Sequence, residues 1–129
     1  MSYFPFFREI EGEKCLVIGG GKVAARKISR LKGFGVKIKV VAPSIVSDIE
    51  AVAQACDNIS VERRIFTQQD IENVDFVIAA AGEEVGKEAA RLCKEKGIPV
   101  NVVDNQELCD FIFPSIVQKG CLLYTSPSP

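Results

Sequence analysis

Lys14-Cys15-Leu16-Val17-Ile18-Gly19-Gly20-Gly21-Lys22-Val23-Ala24 reads as a strand, a tight turn and the start of a helix. Its glycines fall in the spacing G-x-G-x-x-A, a form of the dinucleotide-binding fingerprint. Gly19 lets the chain turn sharply out of the strand, because no Cβ bars the dihedrals that the turn needs. Gly21 leaves room for a pyrophosphate to approach the main chain, and the small Ala24 lets the helix pack closely on the sheet. The helix N-terminus then offers N–H donors and a positive dipole end to the phosphates. A Gly-rich turn with a purely structural role is the alternative reading of the same residues.

Downstream, Lys22 to about Lys32 continues the helix, with Ala24, Ile28 and Leu31 on one face. Lys22, Arg26 and Arg30 share another, which reads as a solvated face for the two arginines, whereas Lys22 lies in the first turn beside any bound phosphate. Gly33 and Gly35 end the helix, and Val36 to Val41 alternates as a second strand. In the usual fingerprint an Asp or Glu about 20 residues past the first glycine receives the ribose hydroxyls. Ala42-Pro43-Ser44 stand there instead. The Ser44 hydroxyl or nearby backbone offers a weaker contact, and no Arg is present at that point for a 2′-phosphate, so the pattern favours NAD over NADP. Pro43-Ser44 reads equally as a simple turn.

Ser47-Asp48-Ile49-Glu50 has the form of a capping box and opens a second helix through Cys56. Ile59 to Ile65 reads as a third strand whose Glu62-Arg63-Arg64 suits a sheet edge. Thr67 to Val74 is a short helix or turn. Asp75 to Gly82 is an apolar strand closing in small residues, where the backbone at Ala81 either lies close to a cofactor or makes a tight turn. A helix from about Glu83 to Glu95 and a strand from Ile98 to Val103 follow. That strand delivers Asp104 to its C-terminal edge, the edge at which open parallel sheets bind ligands. Strands alternating with helices predict an α/β, Rossmann-type doubly wound parallel sheet, with strand order 3-2-1-4-5. Before the fingerprint, Phe4, Phe6, Phe7 and Ile10 are expected to lie against the domain as a lead-in arm.

The 129 residues suffice for one domain, and the 47% hydrophobic content agrees with a globular protein. A net charge of −1 with both signs interspersed gives no reason to expect nucleic acid or a membrane surface as partner. Five scattered cysteines without a C-x-x-C pair suggest neither a disulfide framework nor a zinc site. No apolar stretch reaches the length of a membrane span and the start lacks signal-peptide features, so the cytoplasm is the default compartment. The chain has no histidine. That excludes Ser-His-Asp and Cys-His relays and imidazole metal ligands, leaving acid–base work mainly to carboxylates or water.

Phe4-Pro5-Phe6-Phe7, the run from Cys15 to Lys27, Val40-Val41-Ala42-Pro43, Val100-Asn101-Val102-Val103-Asp104 and Phe111-Ile112-Phe113-Pro114-Ser115 occur in order. In this combination the chain resembles the precorrin-2 dehydrogenase family, the amino-terminal module of sirohaem synthase, from about Met1 to Gly120. The resemblance implies NAD-dependent oxidation of a tetrapyrrole, precorrin-2, to sirohydrochlorin, and in many members insertion of ferrous iron to give sirohaem. It places Lys22, Val23, Pro43 and Ser44 on cofactor-contact positions and makes Asp104 the catalytic carboxylate, able to accept the proton that accompanies hydride loss. The same carboxylate could take pyrrole protons or hold iron transiently. Asp104-Asn105 is also an ordinary turn pair. Asn101 is read as satisfying backbone groups. Two rivals stand beside the dehydrogenase: an NAD-sensing module without chemistry, and a chelatase that keeps its cofactor site structurally.

The resemblance divides the chain into a cofactor domain over residues 1–113, the start of a dimerisation segment over 114–120, and a tail over 121–129 whose Ser-Pro composition suits a disordered or foreign end. Full-length members are expected to be homodimers. The chain departs from the family after Gly120, where members continue with an S-x-G-G-x-S-P segment and a helical domain, and this predicts a truncated chain. The intact mass of the protein from its native source is expected to exceed that of the 129 residues; a native chain ending at Pro129 would overturn the expectation.

Overall fold

The computed structural model describes Phe4, Phe6–Ile112, and the backbone of Ser115–Lys119 and Leu122–Ser126. Five parallel strands form one sheet: β1 (Lys14–Ile18), β2 (Lys37–Val41), β3 (Ile59–Glu62), β4 (Phe76–Ala79) and β5 (Val100–Val102), in the order β3-β2-β1-β4-β5. The predicted order is therefore observed. Helices α1 (Lys22–Leu31), α2 (Ser47–Ala55) and α3 (Glu83–Lys96) make the crossovers.

Alternation along β1 divides the core. Cys15 and Val17 face a layer containing Ala24, Ile28 and Leu31 of α1 and Ile49 of α2, whereas Leu16 and Ile18 face Ala89, Leu92 and Cys93 of α3. A sheet covered on both faces needs near-continuous apolar strands, which is why Cys15-Leu16-Val17-Ile18 and Phe76-Val77-Ile78-Ala79 contain no polar residue. Ile28 is fully buried at the centre of the α1 face, a burial that stabilises the fold by about 1.5–3 kcal/mol.

Side chains pin the strand ends. Asp75 accepts the Lys14 N–H at 2.8 Å, tying β4 to β1 at their N-terminal ends. Asn101, buried in β5, donates from Nδ2 to the Phe111 carbonyl at 2.9 Å, the backbone-satisfying role expected of it. Asp110 accepts the Val100 N–H at 3.1 Å, and Phe111 meets Phe76 edge-on at 5.9 Å. The segment after β5 thus folds back along that strand.

Several local expectations are corrected. Helix α2 is capped by Val46, without a side-chain hydrogen bond, so the Ser47 pattern forms no capping box. A box does form at Thr67 and Asp70, each side chain serving the other's backbone N–H. Strand β3 stops at Glu62 rather than Ile65. Phe4, Phe6 and Phe7 are exposed, with Phe4 and Phe6 in ring contact at 5.2 Å, and do not pack on the domain. Ile10 does pack against the core layer that holds Ala24, Ile28 and Ile49, as expected, and the chain is held there by Gly12 N–H to the Gly35 carbonyl, so only the part of the arm before Ile10 stands off the domain. Leu122–Ser126, within the tail read as disordered, pairs antiparallel with Ser115–Lys119, forming β7 and β6. Cys121 and Pro127–Pro129 lie outside the described residues. Among the described residues no helix is long and apolar enough to cross a membrane.

Arg64 grips Asp70 with both terminal guanidinium nitrogens, at 2.9 and 2.5 Å, just after β3. Hydrogen bonds from Arg64 hold the Asp70 carboxyl below its ordinary range; burial opposes this and the Thr67 N–H reinforces it. A carboxyl depressed in the folded state contributes stability above its unfolded value of about 4, and that contribution disappears as pH falls through the lower folded value. Asp70→Ala is expected to lower stability by about 1–2 kcal/mol at pH 7 through loss of the cap. Urea unfolding at a series of pH values checks this, with the difference from the parent shrinking below about pH 4.

Candidate functional site

β1 ends at the sheet's switch point, between β2 and β4. Gly19 follows it at φ +122°, a conformation that only glycine adopts readily, and an ideal Cβ there would stand 2.3 Å from the Ala80 carbonyl oxygen. The turn therefore needs Gly19 both for its dihedral and for its closeness to the end of β4. Gly21 then caps α1 with no side-chain hydrogen bond, and a Cβ on Gly21 would meet nothing within 4 Å. The open space that a phosphate requires lies at this position.

The first intrahelical bond across the turn runs from Ala25 N–H to the Gly21 carbonyl at 3.0 Å, leaving the N–H groups of Lys22, Val23 and Ala24 at the helix mouth. The first turn of α1 holds no acidic residue, whereas α2 has Asp48 and Glu50 and α3 has Glu83 and Glu84. Among these three helices α1 alone keeps its positive dipole end without a carboxylate of its own. Lys22 is exposed beside it and Ala24 is fully buried against the sheet. This donor set fits the pyrophosphate of a dinucleotide.

A cleft of about 450 Å³ opens at the same edge, lined by Val23, Ala80, Gly82, Glu83, Val102, Val103, Asp104 and Asn105. It brings the first turn of α1 and the end of β5 to one space. Asp104 is exposed and sits at φ +66°, one of two described non-glycine residues with positive φ. Asp tolerates this left-handed conformation better than most residues, and here it turns the chain off β5. Pro43 and Ser44 are exposed at the end of β2, on the other side of the fingerprint from the cleft. Ala81 is exposed but does not line the cleft, although its neighbours Ala80 and Gly82 do.

The arrangement adds residues that the sequence did not single out. Lys27 stands one helical turn after Val23 and is half-buried. Burial pulls its ammonium below the ordinary value, with Arg30 and Arg26 adding to the effect and the charges of Cys109 and Asp104 opposing it. Spacing of four from Val23 was the available signal. Arg30, read as solvated, is half-buried and partnered, while Arg26 is exposed. Cys109 makes sulfur hydrogen bonds with the Val102 main chain at 3.2 Å, and burial raises its thiol. Burial also raises Cys15, and Cys93 to about 11, so these thiols are poor nucleophiles.

A larger hollow of about 600 Å³ lies at the opposite, N-terminal end of the strands, among Lys14, Lys37, Lys39 and Asp70. Its buried carboxylate, Asp70, is already paired with Arg64. Among the described residues no group of three or more Cys, Asp or Glu stands close enough together to hold a metal.

Residues 6–115 match the model of a family described as "Putative NAD(P)-binding". The chain is 40% identical over 124 residues to the siroheme synthase of Nitrosomonas eutropha, covering 95% of the chain and 26% of that protein. It is also 40% identical over 121 residues to the siroheme synthase of Thioalkalivibrio sulfidiphilus, covering 93% and 24%. The chain thus spans about a quarter of these relatives' length. Among solved structures, SirC, described as a precorrin-2 dehydrogenase, aligns with a TM-score of 0.76 and 23% identity over 96% of this chain and 61% of its own. That likeness concerns the fold.

If the left-handed turn at Asp104 serves the cleft rather than the fold, glycine should be accommodated there. Asp104→Gly is expected to leave stability unchanged or raise it by up to about 1 kcal/mol. Urea unfolding checks it, and a marked loss of stability would show that the carboxylate holds the β5 turn together.

Proposed function

The chain belongs to this NAD(P)-binding family, and from that premise we propose that it is the cofactor-binding part of an NAD-dependent dehydrogenase that converts precorrin-2 to sirohydrochlorin. The observation that carries the proposal is the cleft in which the Asp104 carboxylate and the first turn of α1 meet. A dehydrogenase needs a phosphate cradle and a proton acceptor at one sheet edge, and this chain supplies both without a histidine. The sirohaem-forming names of the relatives give the substrate class.

In this reading the N–H groups of Lys22 and Val23 and the Lys22 ammonium hold the pyrophosphate, Gly19 and Gly21 shape its cradle, and Ala24 seats the helix. Pro43 and Ser44 border the adenosine ribose, and Ala81 lies beside the path of the cofactor. A bound nicotinamide supplies the hydride acceptor. Asp104 takes the accompanying proton on a carboxylate oxygen, with Glu83 and Asn105 lining the same cleft.

The preference for NAD rests on the cations near the end of β2. Ala42 N–H bonds to the Glu62 carbonyl at 3.2 Å, which brings the β3 end alongside. Arg63 there is paired with Glu50, and Arg64 with Asp70 and Glu62. Both guanidiniums already have carboxylate partners, which lessens what they offer a 2′-phosphate. We assign residues 1–113 to the cofactor domain and residues 114–120 to the start of a dimerisation segment, the family's full-length members being read as homodimers.

Incubation with precorrin-2 and NAD, followed by absorbance for NADH and sirohydrochlorin, tests the proposal. Asp104→Asn is expected to lose about 10²-fold or more in turnover while NAD binding is retained. Equal turnover in the variant would remove Asp104 from the reaction. No turnover in either protein, with NAD still bound, would favour the sensing module.

A further inference from the structure

We propose that Gly20 is a positioning residue for the adenosine half of the cofactor: its missing side chain lets the loop after β2 lie directly on the fingerprint turn, so that one rigid unit carries both. The inference rests on the NAD reading given above and concerns a residue that the fingerprint leaves unspecified, since the second position of G-x-G-x-x-A accepts any residue in general.

Gly20 is buried, and an ideal Cβ there would stand 2.2 Å from the Ser44 carbonyl oxygen, 2.9 Å from Ile45 Cα and 3.0 Å from Ile45 Cγ1. The first two neighbours are main chain, which cannot swing aside as a flexible side chain can. Space, rather than an unusual dihedral, is what this position demands. The Gly20 carbonyl also accepts the Val46 N–H at 2.8 Å, and Val46 is the residue that caps α2. The loop carrying Pro43 and Ser44 is therefore held against Gly20 by close contact and closed by a hydrogen bond to the same residue.

The adjacent glycine behaves differently. A methyl group at Gly21 would occupy only open space, whereas one at Gly20 would displace protein backbone. The two glycines thus have separable tasks: Gly21 clears room for the ligand, and Gly20 sets the distance between the pyrophosphate cradle and the ribose-side loop.

The test uses two ligands that divide the dinucleotide: ADP-ribose, followed by calorimetric titration, and reduced nicotinamide mononucleotide, followed by its fluorescence. Gly20→Ala is expected to weaken ADP-ribose about tenfold or more, while reduced nicotinamide mononucleotide stays within about twofold. Val46→Pro keeps the inference falsifiable should Gly20→Ala not fold. Val46 sits at φ −70°, within the range that proline adopts, so proline removes the N–H that bonds to Gly20 and sets its ring Cδ against the Gly20 carbonyl, pushing the loop off the turn. It is expected to weaken ADP-ribose about threefold to tenfold with the same selectivity. Unchanged ADP-ribose affinity in the folded variants, or parallel loss of both ligands, overturns the role of Gly20. A parent chain that binds neither ligand overturns the NAD reading itself and the inference with it.

Discussion

The approach of β1 to β4 at their C-terminal ends governs the functional half of the molecule. With 2.3 Å between a would-be Gly19 Cβ and the Ala80 carbonyl oxygen, any side chain would push the two strand ends apart. Their actual spacing is closed by Ala80 N–H to the Ile18 carbonyl at 2.7 Å, and on the other flank by Gly19 N–H to the Val41 carbonyl at 3.0 Å. The turn at Gly19 thus completes the sheet at its switch point and launches α1 from it in the same few atoms. The cleft beside Asp104 exists because α1 starts there and β5 ends there.

Most of the architecture was legible because burial on both faces forces a strand pattern that polar residues cannot interrupt. The five strands, the three crossover helices and their order follow from apolar runs alternating with helical stripes. What failed was decided by contacts between segments. Ser47-Asp48-Ile49-Glu50 and Thr67-Gln68-Gln69-Asp70 are equivalent as patterns, each a hydroxyl followed three residues later by a carboxylate. Only Thr67 and Asp70 form the box, and there Arg64 fixes the Asp70 carboxylate, while the bond from Val46 N–H to Gly20 makes Val46 the residue before α2. Ile65 is left exposed beyond β3 because Arg64 turns toward Asp70, a contact with no signature in strand propensity.

The candidate site was legible at its two ends and not between them. Gly19, Gly21 and Asp104 announce themselves through spacing and position at a strand end. Lys27 does not, since its relation to Asp104 depends on how α1 lies over the end of β5. Gly20 was hidden for another reason: in a fingerprint it is a free position, and its constraint comes from a loop more than 20 residues away. The cysteines illustrate the converse, conspicuous in a sequence without histidine yet removed from nucleophilic chemistry by burial at Cys15, Cys93 and Cys109.

The two sides of the site are held by different physics, and this suggests how they divide the work. Toward Ser44, backbone contact and a main-chain hydrogen bond fix the geometry, so that side is rigid and depends on glycine. Toward Asp104, a single left-handed residue carries an exposed carboxylate off a short strand whose next residues are tethered by Cys109, Asp110 and Asn101. A rigid side suits recognition of a constant cofactor. A carboxylate on a turn, with its neighbours tied down but its own side chain open to the cleft, suits the proton-accepting role proposed for Asp104.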